Sequence, residues 1–295
     1  MKLRSFACLG ASLLLTAFAG AAQAANPFAL AYSSTTNVSL YSKPTGALVT
    51  GRCNRYASAF ATARTKGAEV LAYINAFERP DHELCALDKA FYMNNYGAVP
   101  LWPYPSYGQR YAWPGMKLAD MRAGSKWILW VVSQVEKLMR ERKVDGVWLD
   151  GIGARPWGYS NWANWPASEK TAWANGNIDL VRRLDAKRRA INPDFLIISN
   201  NVWGVTVPGA SPLTAEKYVD GIALEHPTLY LTTYHKGQVG HAFSNLGHRR
   251  VYVIARSAAE ARDWAAVKGV THVSSQTSYK YPNSPPVGFK ALSDR

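Results

Sequence analysis

Two stretches of the chain share one alternation of apolar and polar positions. Val144 to Asp150 reads VDGVWLD, and Val219 to Glu225 reads VDGIALE. In each, Val-Asp-Gly opens a run of apolar residues and an acid closes it five positions after the first Asp. Strand periodicity puts Gly146, Trp148 and Asp150 on one face, and Gly221, Ala223 and Glu225 on the matching face of the later strand. Val147, Leu149, Ile222 and Leu224 then point the other way, toward covering helices.

The remaining pattern predicts further strands and helices in alternation. A first strand starts at Phe28 (FALAYSS), and Ala- and Arg-rich Gly51 to Lys66 reads as its helix. Gly67 to Glu78 reads as a second strand, with Val70, Ala72 and Ile74 outward and Leu71, Tyr73 and Asn75 inward. His82 to Lys89 looks helical and Ala90 to Asn94 looks like a short third strand. Ser125 to Arg142 is amphipathic, with Trp127, Val131, Val135 and Leu138 along one stripe. A helix over Glu169 to Ala190 stops at Asn192-Pro193, and Asp194 to Trp203 is a fifth strand whose alternation turns Asn201 inward. A sixth strand ends at Glu225, a seventh spans Arg250 to Ala255, a helix runs from Ser257 to Lys268, and an eighth strand covers Val270 to Gln276. Eight strands alternating with helices predict an α/β fold, a (β/α)8 TIM barrel, as a single domain over residues 25–295.

Met1 to Ala24 reads as a secretory signal: Lys2 and Arg4 lead, an apolar centre covers Ala11 to Ala22, and Ala22-Gln23-Ala24 offers a cleavage site. The expected location is therefore secreted or periplasmic, with no integral membrane association. Of 34 basic residues two lie in that segment, leaving 32 against 20 acids, a net charge of +12 beyond it. Lys and Arg are scattered rather than clustered, so no nucleic-acid partner is expected. Beyond the signal the cysteines are Cys53 and Cys85, enough for one bridge in an oxidising compartment. The sequence leaves their pairing and the oligomeric state open.

Acids at the carboxyl ends of parallel barrel strands sit where such folds do chemistry. Asp150 and Glu225 close the expected fourth and sixth strands, so they converge over the mouth from positions one strand apart. The bland alternative makes Asp145 and Asp220 turn acids and leaves Asp150 and Glu225 to cap the following helices. Two carboxyl groups in a cleft suit glycosidic bond cleavage, one protonated to assist the leaving oxygen and one ionised. Aromatic-rich loops supply sugar platforms: Trp102, Tyr104, Tyr107, Tyr111 and Trp113 in one, and Trp157, Tyr159, Trp162 and Trp165 directly after Asp150 in another. The candidate substrate-binding residues are Tyr73, Asn75, Glu78, Trp148, Trp157, Asn200 and Asn201. No HExxH, paired CxxC, phosphate loop or GxSxG elbow occurs, and His235 and His241 are read as ordinary histidines, so no metal ligands are assigned.

VLAYIN at Val70 to Asn75, VDGVWLD, NPDFLIISNN at Asn192 to Asn201 and VDGIALE together resemble the barrel glycoside hydrolases related to family 114, and more closely the hypothetical glycoside hydrolase family 15 group. The resemblance implies a (β/α)8 fold, no cofactor and an acid pair at Asp150 and Glu225. It also implies Asp150 as nucleophile or stabiliser and Glu225 as general acid/base. The expectation is an exported, retaining glycosidase cleaving a cell-envelope or extracellular polysaccharide. Its rival is a glycan-binding TIM barrel without turnover. A polygalactosaminide lacking acetyl groups is cationic and would be repelled by a +12 chain, so a neutral or acidic glycan is expected.

Overall fold

The computed structural model describes residues 25–31, 46–79, 86–97, 117–156, 162–200, 215–227 and 232–275. Eight strands close into a parallel barrel: β1 Asn26–Ala31, β2 Ala47–Gly51, β3 Glu69–Asn75, β4 Gly146–Asp150, β5 Leu196–Asn200, β6 Gly221–Glu225, β7 Arg250–Ile254 and β8 His272–Ser274. Each pairs with its neighbours in chain order, and β8 closes on β1. Helices α1 Ser58–Thr65, α2 Ala86–Tyr96, α3 Lys126–Glu141, α4 Ala167–Ile191, α5 Thr232–Gly240 and α6 Ala258–Ala265 connect them. The (β/α)8 barrel read from the alternation is the fold.

Period two builds two separate apolar layers. Phe28, Leu30, Val49, Leu71, Trp148 and Ile198 fill the inside of the barrel. Val70, Ala72, Val147, Leu149, Ile222 and Leu224 face outward and join the helices in the larger layer. The stripe expected on α3 faces that layer, with Trp127, Val131, Val135 and Leu138 all buried. The helix starts on a Ser125 cap, whose Oγ accepts from the Ile128 N–H at 3.2 Å.

Each Val-Asp-Gly opening locks its strand to the one before. The Asp145 carboxylate accepts the Val70 N–H of β3 at 2.8 Å and two donors from Arg64 at 2.8 and 3.0 Å. Asp220 repeats the arrangement: it accepts the Ile197 N–H of β5 at 2.9 Å, with Arg249 at 2.9 Å and Arg188 closer still. The glycine that follows faces into the barrel, where there is no room for a side chain. A Cβ on Gly146 would lie 2.5 Å from the Leu196 carbonyl oxygen, and one on Gly221 would lie 2.3 Å from that of Arg250. Asp145 and Asp220 are therefore structural, as the bland alternative had it.

The expected third strand is a helix, and the true second strand was passed over. Ala90 to Asn94 lies within α2, whose Tyr92 and Tyr96 stack at 5.6 Å, an i, i+4 contact no strand can make. Tyr92 also meets Trp130 of α3 edge-on at 5.5 Å. The barrel is completed instead by ALVTG at β2, within a short stretch not assigned to any element, and the helix expected from Gly51 begins only at Ser58. Both faces of β2 are buried, with Ala47 and Val49 inside and Leu48 outside, so it carries no polar alternation to betray it. Because one false strand and one missed strand offset each other, Asp150 and Glu225 still close the fourth and sixth.

A second polar constellation sits at the amino-terminal end of the barrel. Glu69 of β3 accepts from Arg250 Nε at 2.9 Å and from the Tyr252 hydroxyl, while the His272 ring stacks on Tyr252 at 4.6 Å. Burial, with the nearby Arg250 guanidinium, lowers the His272 pKa to about 3. Burial also pushes the Tyr252 hydroxyl well above its ordinary value, aided by the Glu69 charge. Among the described residues, no helix is long and apolar enough to cross a membrane. Cys53 is disulfide-bonded, and the other cysteines of the chain, Cys8 and Cys85, lie outside the described residues.

Candidate active site

Asp150 and Glu225 are the last residues of β4 and β6, and β5 runs between them. In both copies the next residue enters the left-handed backbone region: Gly151 at φ 80° and His226 at φ 48°. For His226 this is an uncommon conformation, and such outliers cluster where a side chain must be aimed. Gly151 is required twice over, because a Cβ there would also come within 1.7 Å of the Phe77 ring. The chain thus turns sharply as soon as each acid has been placed. Buried indoles hold the rim around it: Trp127 Nε1 donates to the Ala76 carbonyl and Trp173 Nε1 to that of Gly153, both at 2.8 Å, while the Ala76 N–H donates to the Asp150 carbonyl at 3.0 Å.

Asn200, the last residue of β5, joins the two acids. Its Nδ2 donates to Asp150 Oδ1 at 3.2 Å and to Glu225 Oε2 at 3.0 Å. Two oxygens held by one nitrogen at 3.2 and 3.0 Å lie no further apart than the sum of those distances, 6.2 Å. The divergence of the two N–H bonds of a primary amide sets the gap near ~5 Å. The other Asp150 oxygen, Oδ2, accepts from the Tyr73 hydroxyl at 2.7 Å. Tyr73 reaches it from β3, where the register pairs Tyr73 with Trp148 and Asn75 with Asp150. Four neighbouring strands therefore bring a tyrosine, two acids and an asparagine to one point at the carboxyl end of the barrel.

The other candidates divide. Asn75 is buried, and its Oδ1 accepts the Phe77 N–H at 3.3 Å, so its side chain shapes the turn after β3. Trp148 has the inward face expected of it but is fully buried, packed between Phe28 and Tyr252 at 5.9 and 5.3 Å. Its place is one layer below the mouth, out of reach of a substrate: alternation fixes the face but not the height. The expected phase of β5 is also corrected. Leu196 and Ile198 point inward while Ile197 points outward, so the inward phase of this strand falls on Asn200. Glu78 pairs through its backbone with Leu118 in a short antiparallel ribbon. The Glu78 side chain, Trp157, Asn201 and the aromatic loop from Leu101 to Gly115 lie outside the described residues. Of the second aromatic cluster, Trp165 is buried against Trp162 at 5.0 Å, and Trp162 meets Trp173 at 6.4 Å, so these two rings brace α4.

Sequence reasoning listed Tyr73 and Asn200 as substrate contacts and missed their hold on the acids. Nothing local signals it, since the partners are 77, 50 and 25 residues apart. The Gly151 turn was visible as a glycine directly after the acid. A cavity of about 860 Å³ also opens at the amino-terminal end, beside Glu69, Asp145 and Arg250. Two of its carboxylates, Asp145 and Glu69, are already tied to Arg64 and Arg250, which suits a structural role, so the acid pair at the opposite end is the candidate site. Among the described residues no group of three His, Cys, Asp or Glu could hold a metal ion.

The fold and the two-acid mouth define a (β/α)8 barrel with a paired-carboxylate site. No protein-family model matches the chain, and no curated protein is similar to it in sequence. Its structural neighbours include glycoside hydrolase barrels. The glycoside hydrolase domain of PelA from Pseudomonas aeruginosa is 16% identical, with a TM-score of 0.56 over 86% of this chain and 96% of that one. Alpha-L-fucosidase isoenzyme 2 from Paenibacillus thiaminolyticus is 12% identical, with a TM-score of 0.58 over 92% of this chain and 49% of that one. The cycloalternan-degrading enzyme from Trueperella pyogenes is 12% identical, with a TM-score of 0.55 over 91% of this chain and 45% of that one. At these identities the likeness is one of fold.

Proposed function

We propose that the protein is an exported, retaining glycoside hydrolase of the family 114-related kind, acting on a cell-envelope or extracellular polysaccharide. The observation that carries this reading is the single Asn200 nitrogen shared by Asp150 and Glu225. Retaining enzymes hold their carboxyl groups about 5 to 5.5 Å apart, and inverting ones about 6.5 to 9.5 Å apart to admit a water. A ceiling of 6.2 Å between the two bridged oxygens, set by bonds of 3.2 and 3.0 Å, favours retention.

The donors suggest how the labour divides. Asp150 accepts one hydrogen bond on each oxygen, from Tyr73 and from Asn200, and donors of this kind favour the ionised form. Asp150 is then the nucleophile. Glu225 gives its proton to the glycosidic oxygen as the bond to C1 breaks, while an Asp150 oxygen bonds to C1. Ionised Glu225 next takes a proton from water, whose oxygen attacks C1 and frees Asp150 with the original configuration restored. The names of the neighbours, a cycloalternan-degrading enzyme and a fucosidase among them, agree with sugar chemistry. Export rests on residues 1–24 and on the disulfide at Cys53, which suits an oxidising compartment. A net +12 beyond the signal favours a neutral or acidic glycan.

A panel of envelope and extracellular polysaccharides, assayed for new reducing ends with wild type, Asp150→Asn and Glu225→Gln, tests the reading. Release by wild type that both substitutions abolish supports it. Release that survives both removes the site, and glycan binding without release supports a binding barrel instead.

A further inference from the structure

We infer that Asn200 is a positioning residue, one whose amide nitrogen sets the gap between Asp150 and Glu225. Its effect on turnover rests on the hydrolase reading; its hold on the acids does not.

Asn200 stands on the strand between the two acids, in register with Ala223 of β6 and one residue beyond the Leu149–Ser199 pair of β4. A short, stiff side chain at that place reaches both neighbours. Only 4% of the residue is exposed, so the amide cannot turn to water for other partners. Nδ2 donates one hydrogen bond to each acid, while Oδ1 is buried with no hydrogen-bond partner among the described residues. A buried acceptor left without a donor is uncommon and costly. Turning the amide over would give Oδ1 no relief, since it would then face two carboxylates. The orientation is explained if the donors are what the site needs.

A neutral donor is also the right chemistry for the task. An arginine or lysine here would neutralise the acids, as Arg64, Arg188 and Arg249 do for Asp145 and Asp220 at the other ends of the same strands. A carboxylate would add a third like charge. An amide holds two acids at a fixed spacing and leaves both able to exchange protons.

The full chain carrying Asn200→Asp or Asn200→Ala tests this in two ways. The first is the 13C chemical shift of the Asp150 and Glu225 carboxyl carbons, assigned with Asp150→Asn and Glu225→Gln, which needs no substrate. In folded Asn200→Ala both carboxyl resonances are expected to move from their wild-type positions at neutral pH, because a hydrogen-bond donor has gone from each. If either stays in place, the inference is overturned.

The second is kinetic, on a polysaccharide that wild type cleaves. Asn200→Asp keeps the shape and loses the donor, and kcat is expected to fall about 100-fold at neutral pH, the cost of a misplacement of about 1 Å, with KM little changed. The pH profile should move toward acid, where the new carboxyl regains a proton to donate. A higher KM at unchanged kcat would make Asn200 a substrate contact and overturn the inference. Carboxyl resonances that move in a protein that cleaves no glycan would uphold the clamp and sink the hydrolase reading alone.

Discussion

β4 and β6 are each preceded by one acid and closed by another, and the two ends are held by different chemistry. At the amino ends, Asp145 and Asp220 accept a backbone N–H from the preceding strand and are matched by guanidinium groups. At the carboxyl ends, Asp150 and Glu225 share a neutral amide, and Asp150 takes a tyrosine hydroxyl as well. The first arrangement suits a carboxylate whose charge is to stay fixed. The second suits carboxyl groups that must be held in place yet still gain and lose protons. One duplicated sequence motif thus carries a structural acid and, in the function proposed, a reactive one on each copy.

Asp220→Ala should be the most damaging change at the structural end. It leaves Arg188, 15% exposed at its side chain, with Asp185 alone, takes the carboxylate from Arg249 and frees the Ile197 N–H, at a cost of about 4 kcal/mol measured by urea unfolding. Gly151→Ala strikes the reactive end through the backbone. It sets a Cβ against the Phe77 ring in a left-handed turn and should cost about 3 kcal/mol, with activity lost among the molecules that still fold. A retained melting temperature would mean the turn after Asp150 is not what aims it.

The polar cluster around Glu69 gives the comparison a pH dependence. Folded His272 stays neutral down to about pH 3, whereas the unfolded chain protonates it near 6.5. Stability is therefore full above pH 6.5 and lost as pH falls toward 3, by up to about 1.4 kcal/mol per pH unit. His248, whose pKa burial also lowers, adds to the same limb. Denaturant unfolding of His272→Gln at pH 6.5 and 4.5 should show a smaller drop than wild type; an equal drop would place the acid sensitivity elsewhere. Asp145→Asn is the mildest change, because Asp145 and Arg64 are each 32% exposed at their side chains, and about 1 kcal/mol is expected.

The sequence made the barrel and the acid pair legible because β4 and β6 share a Val-Asp-Gly opening and a closing acid, which fix their phase although both faces are buried. ALVTG at β2 is buried on both faces and looks like any short apolar run. LIISN at β5 has the same weakness, so its phase was read one residue late and Asn201 was favoured over Asn200. TTYHKGQVG, now α5, has two glycines and little amphipathic contrast, and no helix was read there. Trp148 was legible as inward but not as deep. The clamp itself was out of reach, since it exists only once β3, β4, β5 and β6 are side by side.

Specific activity per folded molecule, measured for Asp150→Asn beside Asp145→Asn on a polysaccharide that wild type cleaves, bears most directly on the division between the two strand ends. Asp150→Asn should melt within about 2 °C of wild type and yet release sugar ends at least ~1000-fold more slowly. Asp145→Asn should melt lower and turn over like wild type. Undiminished hydrolysis by folded Asp150→Asn would contradict the assignment of the carboxyl-end acids to the chemistry.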